Sequence, residues 1–302
     1  MMVFPRRSTA GHGLVSLFRL VASLLVIGAL AACSPKRYLV SRLADEWSSQ
    51  SMAEEDDLIL AREASAFYLK FSESLLKQTP GHAALGESVA SGFTQYAYAF
   101  VSFDAERTEG RDAGAALRMR QRAARLYLRA HGHAMAVLEH RHPGFLQALA
   151  DPQARPALTA DEVGLAYWAA ASWGAYISLS KDKPEVVADL PLAVRLARLA
   201  WSLEPGFAQG SLASLVATLE AARPGGNLAE AARLFDEAEK AGDGRNAGLY
   251  VARAEALHNA DRDGTERLLR EALRVSSQHA SLANQLVHER AAWLLKTLNE
   301  RF

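Results

Sequence analysis

The residues that could carry chemistry fall into three groups. The first is a lone cysteine, Cys33, preceded by Leu30-Ala31-Ala32 at the end of an apolar run. Arg6, Arg7 and Arg19 supply a cationic start, Leu20 to Ala32 a 13-residue apolar segment, and the small residues before Cys33 a processing site. That order predicts a signal peptide over 1–32 whose cleavage leaves Cys33 as a diacylated N-terminus. The run is shorter than the about 20 residues a membrane-crossing helix needs, so lipid at Cys33 is expected to tether the chain. Ser34, rather than Asp, follows the cysteine, which favours the inner leaflet of the outer membrane and a periplasm-facing domain.

The second group is histidine-rich: His131-Gly132-His133 and Glu139-His140-Arg141-His142. His133 and His140 stand seven apart and could share a helix face, as imidazole ligation of a metal requires. Arg141 intervenes and Gly132 weakens the helix, whereas histidines near a helix C-terminus are explained by the dipole alone. No metal is expected. With no Gly-rich phosphate loop, no G-x-S-x-G, no H-E-x-x-H and the only thiol destined for lipid, the chain is expected to have neither enzymatic activity nor a cofactor.

The third group is aromatic. In Ser91 to Phe100, Phe93, Tyr96 and Phe100 share one helical face and Tyr98 lies on another. In Tyr167 to Tyr176, Tyr167, Trp168, Trp173 and Tyr176 alternate with Ala, Ser and Gly. Such stripes ordinarily fill a core. The phenols of Tyr96, Tyr98, Tyr167 and Tyr176 would need partners there, and a ligand could supply them, so the alternative is an apolar ligand cleft lined by these residues.

The elements that would position these groups are all helical. Ala61, Ala64, Tyr68, Phe71 and Leu75 form one apolar stripe ending at Thr79-Pro80-Gly81. A helix then begins near His82, and further helices are predicted over 113–142, 161–180, 190–203, 207–222, 228–241, 247–259, 263–275 and 281–302, with a Pro-containing loop at 151–156. Residues 33–55 are mixed and polar and are expected to form a flexible tether, leaving 56–302 as the folded domain. Ala231-x3-Phe235 with Ala238 follows a tetratricopeptide frame, and Ala193, Ala197, Ala200 with Pro205 and Leu269 with Ala272 are partial copies. The frames end at 205, 243 and 277, near the roughly 34-residue period of such repeats. The predicted fold is therefore all-α, with tetratricopeptide-like pairs stacked into a solenoid-like bundle; an irregular helical bundle is the competing architecture.

Charge excludes one class of partner. Loss of residues 1–32 takes three of the 34 Lys and Arg and none of the 34 Asp and Glu. The slightly acidic remainder argues against nucleic-acid binding, and Arg118 to Arg129, interleaved with Leu117, Met119, Leu126, Tyr127 and Leu128, reads as a solvated helix face.

Several segments together resemble a known family. They are Asp56-Asp57-Leu58 to Leu76, Ser91 to Ala97, Tyr167 to Ala175, Arg223-Pro224-Gly225-Gly226 before Phe235, Leu282-Ala283-Asn284, and Ala291-Ala292-Trp293-Leu294-Leu295. Over about residues 54–302 the chain resembles the T component of tripartite ATP-independent periplasmic (TRAP) transporters. The basic run and the histidine cluster depart from the resemblance. It implies a non-enzymatic homotrimeric lipoprotein, with a cleft or pore in each protomer for an organic acid or apolar ligand, that pairs with a periplasmic solute-binding protein. The alternative is a general tetratricopeptide scaffold lipoprotein for envelope assembly that grips protein segments in its groove.

Overall fold

The computed structural model describes residues 35–49, 57–257, 261–300 and 302. Cys33, its leader and residues 50–55 of the expected tether lie outside them. The chain forms two compact units, 1–43 and 44–302. The described part of the first, residues 35–43, is helical and begins helix α1 (Pro35–Ser49). Residues 35–49 were expected to be irregular and are helical instead. Within the second unit, Ala44 is fully buried. Trp47 stacks on Tyr68 at 5.4 Å, meets Phe71 at 4.5 Å, and donates its indole N–H to Ser72 Oγ at 2.8 Å. A single large aromatic anchors a helix whose sequence has no sustained apolar period.

The second unit is helical, with no strand among the described residues. Its elements are α2 (Leu58–Leu76), α3 (Ala83–Ala97), a π turn (Tyr98–Ser102), α4 (Phe103–Thr108), α5 (Ala113–Arg141), α6 (Phe145–Ala150), a 3-10 turn (Ala160–Glu162) and α7 (Val163–Ser178). There follow α8 (Pro184–Val187), α9 (Leu190–Leu203), α10 (Phe207–Ala222), α11 (Leu228–Gly242), α12 (Gly248–Leu257), α13 (Arg262–Gln278) and α14 (Leu282–Lys296). Local chemistry sets the starts. Asp57, Asp112, Asn227, Asp261 and Ser281 each accept a first-turn backbone N–H at their side-chain oxygen, and His82 does the same with Nδ1. The loop after α6 is held from a distance: the Arg195 guanidinium donates to the carbonyls of Leu149 (2.8 Å), Asp151 (2.5 Å) and Ala154 (2.6 Å).

Helices adjacent in sequence are mostly adjacent in space. α2 packs on α3, α3 on α5 and α7, α7 on α9, α9 on α10, α10 on α11 and α12, and α13 on α12 and α14. Small residues permit the close approaches: Ala193, Ala197, Ala200, Ala217, Ala231, Ala238 and Ala272 are all fully buried, as is Phe235. The helix expected to run unbroken over 207–222 is kinked at its start, where Ala208, Gln209 and Gly210 all have positive φ. A Cβ on Gly210 would lie 2.2 Å from the Ala238 carbonyl oxygen, so α10 bends where its backbone meets that of α11.

Candidate functional site

A cleft of about 530 Å³ opens between α2, α3, the π turn and α14, within the size range of small-molecule sites. Ser65, Tyr68 and Leu69 come from α2; Glu87, Ser88, Ser91, Gly92 and Gln95 from successive turns of α3; Leu282, Ala283 and Leu286 from α14. Positions 84, 87, 88, 91, 92 and 95 recur at helical spacing, so one face of α3 forms a continuous wall. Tyr96, Ala99 and Phe100 extend it through the π turn, with Tyr96 and Phe100 edge-to-face at 5.7 Å. Tyr68 and Ser88 share a hydroxyl hydrogen bond of 2.8 Å that ties the two walls together.

Among the described residues of this lining Glu87 is the one acid, and no Lys, Arg or His accompanies it. Its carboxylate rests against the first turn of α7, where Gly164 leaves room: a Cβ there would stand 2.2 Å from Glu87 Oε1. Burial, with the negative charge of Glu204, raises the Glu87 carboxyl above its ordinary range.

The structure distributes the six aromatic residues singled out by spacing. Tyr96 lines the cleft, its ring under the Arg122 guanidinium at 5.7 Å. Tyr98 points elsewhere, its ring 5.2 Å from the guanidinium of the buried Arg290. Tyr167 packs edge-on to Trp168 at 4.8 Å and against Phe207 at 5.5 Å; burial pushes its phenol up to about 12, against a hydrogen bond with Ser211. Trp173 is buried against the His131 ring at 4.4 Å. Tyr176 packs beside Ala97, Val101 and Tyr127. Tyr96 thus meets the cleft, while Tyr98, Tyr167, Trp168, Trp173 and Tyr176 are not among its lining residues.

Sequence reasoning missed Glu87, Tyr68 and the α14 leucines. A signal for Glu87 existed: it is the only charged residue between His82 and Asp104. Leu282 and Leu286 carried none, because only tertiary folding brings the last helix to the second and third.

The histidines disperse to separate partners. His131 Nδ1 lies 3.1 Å from the Ala169 carbonyl, His133 pairs with Glu73 and His142 with Glu162, both at 2.8 Å. Burial lowers the basicity of His131, with the Ala169 carbonyl opposing. Among the described residues no three His, Cys, Asp or Glu converge as a metal site. The basic run on α5 is partly engaged: Arg120 pairs with Glu109 at 2.8 Å, and Arg129 holds Glu73 through Nε at 2.6 Å.

The described residues thus form an all-α protein of mostly sequentially packed helices with an apolar, hydroxyl-studded cleft. Comparison with known proteins gives the family: residues 54–302 match the TRAP transporter T-component, and the chain belongs to that family. It is also similar to an uncharacterized protein of Treponema pallidum (strain Nichols), 27% identical over 282 residues that cover 89% of this chain and 87% of that one. Membership associates the chain with TRAP transport as an accessory component.

Proposed function

We propose that this chain is a non-enzymatic lipoprotein of the outer membrane, anchored at Cys33 and facing the periplasm, that assists TRAP solute uptake. It docks a periplasmic solute-binding protein and receives that protein's ligand in the cleft between α2, α3 and α14. The observation that carries the reading is the family match across the domain, together with a preformed cleft of ligand size. Of the two ligand classes expected, the lining speaks against the organic-acid anion, which would find an acid and no base among the described residues that line the cleft. The stacked small-residue frames at Ala193 to Ala200 and Ala231 to Ala238 support a tetratricopeptide-like repeat, and the homotrimer is part of the same proposal.

The test is capture from envelope extract with the chain as bait, followed by mass spectrometry of proteins and extracted small molecules. Enrichment of the solute-binding protein of a TRAP system supports the reading. Recovery of outer-membrane or cell-wall assembly factors in its place would transfer the chain to the scaffold class.

A further inference from the structure

The cleft holds an ionisable group for which the described residues supply no counter-charge. Glu87 has no hydrogen-bond or ion-pair partner among the described residues, in contrast to Glu73, Glu162 and Glu220, each of which is clasped by basic side chains. An unpaired carboxylate in an apolar recess costs free energy unless something else meets it. The charged groups nearby do not relieve it. Glu204 is also negative. Arg62 and Arg122 are not in the lining: Arg62 is paired with Asp104 at 2.7 Å, and Arg122 lies over Tyr96. Around Glu87, Ser88, Ser91 and Gln95 offer further acceptor oxygens, while Leu69, Leu282 and Leu286 offer apolar walls.

We propose that the cleft selects an amphipathic cation, its amine or other positively charged head paired with the Glu87 carboxylate and its apolar body laid between Leu69 of α2 and the leucines of α14. This rests on the reading of the cleft as a ligand site and names the ligand class. Desolvation and the neighbouring Glu204 make the vacant carboxylate unfavourable as an anion. A bound cation reverses both effects, and an anionic ligand would add a third negative charge. Gly164 belongs to the same device, because any side chain there would displace the carboxylate.

The test uses octylamine, octanoate and octanol, which share a chain and differ in head group, titrated calorimetrically into the purified full chain at pH 7. Octylamine is expected to bind at least 10-fold more tightly than octanoate, with octanol between. Glu87→Gln should bring octylamine to the level of octanol, and Glu87→Asp should keep part of the preference. Unchanged helicity and melting temperature confirm that both variants fold. Should Glu87→Gln fail that control, the order of the three probes on the unaltered chain decides alone. Equal binding of the three, or tighter binding of octanoate, overturns the cation proposal and leaves the cleft as a ligand site. Binding of none of them overturns the ligand reading of the cleft and the cation proposal with it.

Discussion

Glu73, Glu162 and Glu220 have side chains only 3, 0 and 2% exposed, yet each stays ionised because basic groups converge on it. Burial pushes Glu73 up, but hydrogen bonds from Arg129, Lys70 and His133 outweigh it and hold the carboxyl at about 2. Glu162 is raised by burial and drawn down to about 2 by Arg141, Thr159 and His142. For Glu220 the Arg223 hydrogen bond leads, against burial, with the Asn227 N–H and Arg198 assisting, again to about 2. All three lie below the ordinary value of 4.5. The stability they contribute is therefore complete above pH 4.5 and is lost as pH falls toward 2. Urea titrations across pH should show the unfolding free energy dropping most steeply in that window; a flat profile there would contradict the pairing. Glu73→Ala, which strands Arg129 and His133, should cost about 2 kcal/mol or more in the same assay. Little of this was legible in the sequence. Arg129 was legible as part of a basic helix face and His133 as part of a histidine cluster, but the acid that meets them comes from α2, more than fifty positions earlier.

The elements themselves were largely legible, because apolar spacing and capping residues are local. Asp112 and Asn227 start α5 and α11 where periodicity predicted helices, and Thr79-Pro80-Gly81 separates α2 from α3. Departures occur where a long-range contact overrides the local pattern. At the start of α10, Gly210 combines φ +82° with contact against the α11 backbone. Gly210→Ala should lower stability by about 2 kcal/mol, from left-handed strain and the displaced carbonyl, measured by thermal or urea unfolding; a neutral substitution would mean that the kink is not needed. The helical course of residues 44–49 depends on Trp47 packing against α2. Trp47→Ala should speed amide hydrogen exchange in that stretch while α5 and α7 stay protected. Equal loosening throughout would make Trp47 a core residue of the whole domain.

Across the whole molecule, one arginine joins distant parts of the chain. Arg290 of α14 is 6% exposed, donates to Glu106 of α4 at 3.2 Å and to Glu255 of α12 at 2.6 Å, and lies against the rings of Tyr98 and Phe103. Its Nε has no partner among the described residues, so burial of this group is only partly offset. Arg290→Ala should cost about 3 kcal/mol by leaving Glu106 and Glu255 without their shared cation and a cavity beside two rings. Arg290→Met, which refills the cavity, should recover part of that loss. If both variants were neutral, the cleft wall supplied by α14 would be held by apolar packing alone. At this scale Tyr96→Ala should weaken ligand capture with helicity preserved, since its ring lines the cleft, whereas Trp173→Ala should cost stability through the buried contact with His131.

By itself the sequence determined the all-α class, most helix boundaries, the family resemblance over the domain, and the aromatic segment that contains Tyr96. The class, the boundaries and the aromatic segment follow from periodicity, capping and composition, each readable within a few residues, whereas the family resemblance rests on several matching segments taken together. Tertiary structure alone decided which aromatics meet a cleft, which acids find cations, and that Glu87 finds none among the described residues. These depend on side chains brought together from α2, α3, α7 and α14, and spacing along the chain does not encode which helix faces will meet.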